Sequence, residues 1–115
     1  MNIQIFGTKK CFDTKKVERF FKERRIKYQF IDLKEKGMSK GELNSVKASV
    51  PINELINEKS KNYKTSNITN VRSTDIKIEM LFKDQTLIKT PVVRNGKKAV
   101  VGFKTEVFEE WINND

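Results

Sequence analysis

Ile3, Ile5 and Phe6 stand among polar neighbours and close on Gly7, which predicts a buried strand over residues 2–6. From Thr14 to Arg25 the period changes. Val17, Phe20, Phe21 and Arg24 recur at helical spacing. Asp13 and Thr14 can cap that helix or neutralise its positive end, and Arg24-Arg25 suit its other end. Lys27 to Leu33, with Tyr28, Phe30 and Ile31, predicts a second strand. Short connections make residues 2–33 a β-α-β unit with parallel strands and a right-handed crossover.

The pattern then turns helical and polar. Ser39-Lys40-Gly41-Glu42 has the form of a capping box, followed by Leu43 and Val46, and predicts a helix over 39–48. Pro51 stops it, and Ile52, Leu55 and Ile56 suggest another short helix. Residues 57–73 read as polar loop with a helical turn near Tyr63. Ser73 to Lys83 carries Ile76, Met80 and Leu81, a third helical patch.

Strand signals return at Pro91-Val92-Val93-Arg94 and Lys98-Ala99-Val100-Val101. Asn95-Gly96 between them predicts a hairpin with positive φ at both turn residues. Thr105 can cap a last helix bearing Val107, Phe108, Trp111 and Ile112. The order β-α-β, helices, β-β-α predicts an α/β chain with a thioredoxin-like fold. Its mixed four-stranded sheet would carry a helical insertion at about 34–88, all within one domain over 1–115. The Phe20-Phe21 and Phe108-Trp111 stripes belong to the core by their spacing. Arg72 and Arg94 read as exposed cations.

Composition narrows the function. No apolar run reaches the ~20 residues needed to span a bilayer, and the N-terminus lacks the pattern of a signal peptide. The expected location is therefore the cytoplasm, with no membrane partner. One cysteine allows no internal disulfide, in keeping with a reducing compartment. With no histidine and one cysteine, no metal site is expected. The net charge of +9 fits either attraction to anions or a lysine-rich surface, since the lysines run from Lys9 to Lys104 without forming a block. No helix-turn-helix or zinc pattern appears, so direct nucleic-acid binding is not expected.

The candidate chemistry lies at Cys11, where the first helix begins. A free thiol is only about 3% ionised at pH 7. A helix start offers open N–H groups and partial positive charge. Lys9, Lys10, Lys15 and Lys16 add cationic charge in sequence. Lys10 and Lys15 are thus candidates to stabilise the thiolate. Thr14 can hydrogen-bond the thiolate or cap the helix. The competing reading of Cys11 is a small buried hydrophobe.

Cys11-Phe12-Asp13-Thr14, Leu87-Ile88-Lys89-Thr90-Pro91-Val92-Val93 and Val101-Gly102-Phe103 together resemble the ArsC/Spx/YffB family, which includes arsenate reductases and Spx transcription regulators. The resemblance spans the whole chain. It implies that Cys11 is the nucleophile, and that Thr14 replaces a second cysteine found in Spx-type proteins. It implies a cis Pro91 facing the sulfur, with Thr90 offering backbone groups to a bound thiol. Lys59 would match an oxyanion-binding arginine, while Thr90 and Phe103 fall where two further arginines belong, so arsenate is disfavoured as substrate. The expected activity is a glutaredoxin-like thiol oxidoreductase that forms a mixed disulfide at Cys11. Glutathione or another small thiol would be co-substrate, with no tightly bound cofactor and with a thioredoxin- or glutaredoxin-type reductant as the other partner. The alternative is an Spx-type regulator that docks on RNA polymerase.

Overall fold

The computed structural model describes residues 1–115. Four strands form one mixed sheet: β1 (Ile3–Gly7), β2 (Tyr28–Asp32), β3 (Val92–Asn95) and β4 (Lys98–Val101), in the order β2-β1-β3-β4. β1 and β2 are parallel and are joined by α1 (Phe12–Glu23). β3 runs antiparallel to both β1 and β4. Between β2 and β3 lie α2 (Lys40–Ser49), α3 (Ile52–Leu55), α4 (Tyr63–Ser66), α5 (Thr74–Lys83) and single 3₁₀ turns at Ile68–Asn70 and Gln85–Leu87. α6 (Thr105–Asn113) closes the chain. This is the thioredoxin-like α/β arrangement with a helical insertion.

Alternation along the central strands loads both faces of the sheet, because neighbouring strand residues point to opposite sides. Ile3, Ile5 and Val93 pack with Val17, Phe20 and Phe21 of α1 and with Phe108 and Trp111 of α6. Phe6, Ile31 and Val92 face the other way, onto Leu43 and Val46 of α2 and Leu81 of α5. The capping box forms as expected: Ser39 Oγ accepts from the Glu42 N–H at 3.1 Å, and the Glu42 carboxylate accepts from the Ser39 N–H at 2.9 Å. Such a cap contributes on the order of 1 kcal/mol.

Arg94 departs from the sequence reading. Its side chain is mostly buried on the insertion face, donating to Gln4 Oε1 at 2.7 Å and Ser45 Oγ at 3.3 Å, with a Glu42 carboxylate oxygen at 3.8 Å. It fastens α2 to the two central strands. The hairpin also differs. Asn95 is the last residue of β3, paired with Lys98, so the loop is Gly96-Lys97 and only Gly96 has positive φ. A glycine first in a two-residue loop satisfies the twist without a strained asparagine. Thr105 does not cap α6. Lys104 holds that position, and its carbonyl accepts from the Val107 and Phe108 N–H groups, each at 3.1 Å.

The topology sets the site. β1 ends where β3 begins, with Phe6 opposite Val92. The chain leaving β1 and the chain entering β3 therefore meet at one end of the sheet, although 79 residues separate Cys11 from Thr90.

Candidate active site around Cys11

Cys11 is the N-cap of α1. Its backbone is extended and its carbonyl accepts from the Lys15 N–H at 3.2 Å. Thr8 tightens the loop before it, its carbonyl accepting from the Cys11 N–H at 3.2 Å. Asp13 and Thr14 thus lie inside the first turn, and neither is the cap. Thr14 is buried over Gly7, where no Cβ exists; a Cβ at Gly7 would come within 2.6 Å of Thr14 Cγ2.

The half-buried Cys11 thiol donates to the Thr90 carbonyl at 3.8 Å. Thr90-Pro91 is a cis peptide, as the family resemblance implied, and Pro91 is buried. Burial by itself pushes the Cys11 pKa up. The Thr14 and Thr90 side-chain hydroxyls and the Thr14 and Asp13 backbone amides together outweigh burial and hold the thiol below its ordinary value. These amides do not reach full hydrogen-bond geometry with the neutral thiol. They lie where an N-cap acceptor is normally satisfied, so an anionic sulfur has donors waiting.

Thr14 Oγ1 is the telling atom. It is buried and makes no hydrogen bond to the rest of the protein. A buried hydroxyl without a partner costs on the order of 1–3 kcal/mol. The acceptor within its reach is the Cys11 sulfur, and a thiolate is a far better acceptor than a thiol. Ionisation of Cys11 therefore satisfies a donor that the neutral state leaves idle. Thr14→Val keeps the shape and deletes the donor. Its alkylation-versus-pH curve, measured with iodoacetamide, should move to higher pH than the parent's.

The lysines act otherwise than their positions in sequence suggest. No lysine is among the groups that lower the Cys11 pKa. Lys9 pairs with Glu35 at 3.8 Å, Lys16 with Asp13 at 3.8 Å, and Lys15 lies 5.9 Å from the Phe12 ring centroid. Lys10 is exposed with no partner among the ion pairs. The groups that hold the thiol pKa down are short-range hydroxyls and amides, and Lys10 and Lys15 are not among them. Lys59 is also exposed. The cleft beside Thr90 is lined by its neighbours Asn57 and Ser60 and not by Lys59 itself. Phe103 is 37% exposed and packs edge-on to Phe20. No group of three or more Cys, His, Asp or Glu side chains is arranged to hold a metal. No helix is long and apolar enough to cross a membrane.

Two contributors escaped the sequence. Gly7 reads there as a strand terminator, yet it makes room for Thr14. The cleft beside Thr90 draws on four segments, among them Thr8, Lys34 and Asn57, that stand 23 or more residues apart, and has no local signature.

Comparison with known proteins places these features in context. Residues 6–111 match the model of the ArsC family. The chain is 29% identical over 115 residues to the uncharacterised YusI protein of Bacillus subtilis, covering 96% of this chain and 98% of that one. A solution structure of a Staphylococcus aureus COL protein is 30% identical, with a TM-score of 0.79 over 94% of this chain and 96% of the other. An arsenate reductase from Vibrio cholerae shares the fold, with a TM-score of 0.83 at 22% identity over 96% and 97% of the two chains.

Proposed function

This chain belongs to the ArsC family, and from that premise we propose that it is a thiol oxidoreductase working through a mixed disulfide at Cys11 with glutathione or another small thiol. The observation that carries the reading is the buried Thr14 hydroxyl, unpartnered elsewhere and within reach of a half-exposed sulfur.

The Cys11 thiolate attacks one sulfur of a disulfide RS–SR. A Cys11–SR bond forms, the S–S bond breaks, and RS⁻ leaves. A second thiolate then attacks the SR sulfur, forms a new disulfide and expels the Cys11 thiolate. The net exchange is RS–SR + R′S⁻ → RS–SR′ + RS⁻, in which one thiol enters a disulfide as another is released. A depressed pKa helps most in this second step, because a stable thiolate leaves faster. On attack the gain in thiolate fraction is largely offset by lower nucleophilicity. With one cysteine in the chain, the resolving thiol must come from outside: a small thiol or a thioredoxin- or glutaredoxin-type reductant. A reducing cytoplasm supplies both.

The test is intact mass spectrometry after incubation with glutathione disulfide. One glutathione should add to the protein, located at Cys11 by peptide mapping and removed by excess reduced glutathione. A protein that stays unmodified would refute the reading.

A further inference from the structure

Positive charge gathers on one element once arginine is counted with lysine. Residues 15–27 carry seven Lys or Arg against two Glu, a net +5 within 13 residues of a chain whose total is +9. Val17, Phe20 and Phe21 turn the buried face of α1 to the sheet. At 3.6 residues per turn, Phe12, Lys15, Arg19 and Lys22 line the opposite side within about a quarter of a turn. All four are exposed, and none of the three cations is in an ion pair. One stripe therefore runs ~15 Å along the helix, from the residue beside Cys11 to the last turn.

Helix stability does not account for the stripe. Lys15 stands in the first turn, where the partial positive end of the helix disfavours a cation. The nearby carboxylates are mostly turned elsewhere. Asp13 pairs with Lys16 at 3.8 Å, and Glu18 accepts from the Tyr28 hydroxyl at 3.2 Å. Glu23, at the edge of the stripe, leaves three cations to one acid. The far end widens into a shallow hollow lined by Lys22, Arg25 and Lys27. Arg25 takes a φ of 58° there, which glycine adopts more readily. At the near end Phe12 is 78% exposed, more than any other large apolar side chain in the protein. A bare aromatic beside the sulfur, with unpaired cations leading away from it, has the make-up of a contact surface.

We propose that the outer stripe of α1 docks an acidic polypeptide segment of a partner protein and so presents that partner's disulfide to Cys11. The assignment rests on the thiol-exchange reading above and adds a class of partner. A polypeptide fits better than a nucleic acid because the stripe starts at a sulfur, which needs another sulfur to react with. Complementary charge then favours carboxylates, chiefly through the rate of association. Take a partner P held in mixed disulfide with glutathione. Cys11–S⁻ attacks the glutathione sulfur, the Cys11–SG bond forms, the P–S–SG bond breaks and P–S⁻ leaves. The thiolate of reduced glutathione then forms glutathione disulfide and frees Cys11–S⁻. The stripe binds P and takes part in no bond change.

Two peptide substrates isolate the charge. Each carries a single cysteine in mixed disulfide with glutathione, followed in one by a run of glutamates and in the other by glutamines. Reduced glutathione is the reductant for both. At low ionic strength the glutamate peptide should show about tenfold the kcat/KM of the glutamine peptide, and the two should converge as salt is added. Arg19 and Lys22 are exposed, so their variants should fold as the parent does, which circular dichroism checks. Arg19→Glu with Lys22→Glu should lower kcat/KM for the glutamate peptide about tenfold, and Arg19→Gln with Lys22→Gln about threefold. The glutamine peptide should change by less than about twofold in either variant. Equal turnover of the two peptides by the parent, or equal losses on both, would overturn the docking stripe while leaving exchange at Cys11 intact. A binding readout needs no exchange. The glutamate peptide with serine in place of cysteine, titrated into ¹⁵N-labelled protein, should shift the amides of Lys15, Arg19 and Lys22. Those shifts without turnover of either disulfide would keep the stripe and defeat the thiol-transfer reading. A single-stranded oligonucleotide that shifts them at lower concentration than the peptide would assign the stripe to nucleic acid and overturn the proposal.

Discussion

Cys11→Ser is expected to abolish reduction of a mixed disulfide RS–SG by reduced glutathione, leaving only the rate of the uncatalysed thiol–disulfide reaction. The loss is total because no other sulfhydryl exists in the chain, and a serine hydroxyl cannot form a disulfide. The position makes the experiment clean. Cys11 is the N-cap of α1, and serine is among the preferred N-cap residues. The variant should therefore fold as well as the parent or slightly better, with a melting temperature that does not fall. Activity lost together with the fold would point to a structural cysteine; activity retained would remove Cys11 from the mechanism. Coupled turnover with reduced glutathione, set beside a thermal melt, reads both.

Gly7→Ala is expected to damage stability and chemistry together. Gly7 is fixed on both sides. It sits in the ladder opposite Asp32, and its carbonyl accepts from the Leu33 N–H at 2.9 Å. A new Cβ would press into Thr14, with Cγ2 at 2.6 Å and Cβ at 3.1 Å. Thr14 lies in the first turn of a helix whose next turns are packed against the sheet, so it can yield only by leaving its rotamer or shifting the helix start. Overpacking of this kind costs roughly 1–3 kcal/mol. The displaced hydroxyl no longer serves the sulfur, so the Cys11 pKa should rise as well. Adding Thr14→Ala to Gly7→Ala should recover part of the stability, because the contact with Cγ2 is gone and only the Cβ contact at 3.1 Å remains, while the thiol pKa stays high. Urea denaturation of the four proteins gives the coupling energy. A Gly7→Ala protein with unchanged stability and unchanged thiol titration would contradict the steric account.

The ionisation of Cys11 also links to folding. The folded protein favours the thiolate more than the unfolded chain does. That preference adds stability above the unfolded thiol's pKa and is lost as the pH falls through the lower folded value.

Much of the architecture was legible because hydrophobic spacing carries it. Ile3, Ile5 and Phe6, the Val17-Phe20-Phe21 stripe and the Ser39-Glu42 capping box fall where their patterns put them, within two residues at the element ends. What the sequence hid was geometry that depends on a neighbour. Thr14 reads first as a cap and second as a sulfur ligand, yet Cys11 holds the cap position and Thr14 lies inside the first turn, packed over Gly7. Lys10 and Lys15 adjoin Cys11 in sequence, but Lys10 is exposed and Lys15 lies 5.9 Å from the Phe12 ring centroid, and neither is among the groups that hold the thiol pKa down. Arg94 looked exposed because hairpins usually are, yet its partners Gln4, Ser45 and Glu42 come from two distant elements. The cleft beside Thr90 is assembled from loops that no periodicity connects.

The rate of iodoacetamide alkylation of the native protein across pH tests the heart of the account, since everything rests on Cys11 being easier to ionise than a thiol in water. The midpoint should fall below the ~8.5 of free cysteine. A midpoint at or above that value would mean that burial outweighs the Thr14 and Thr90 groups, and the mechanism built on the thiolate would fail.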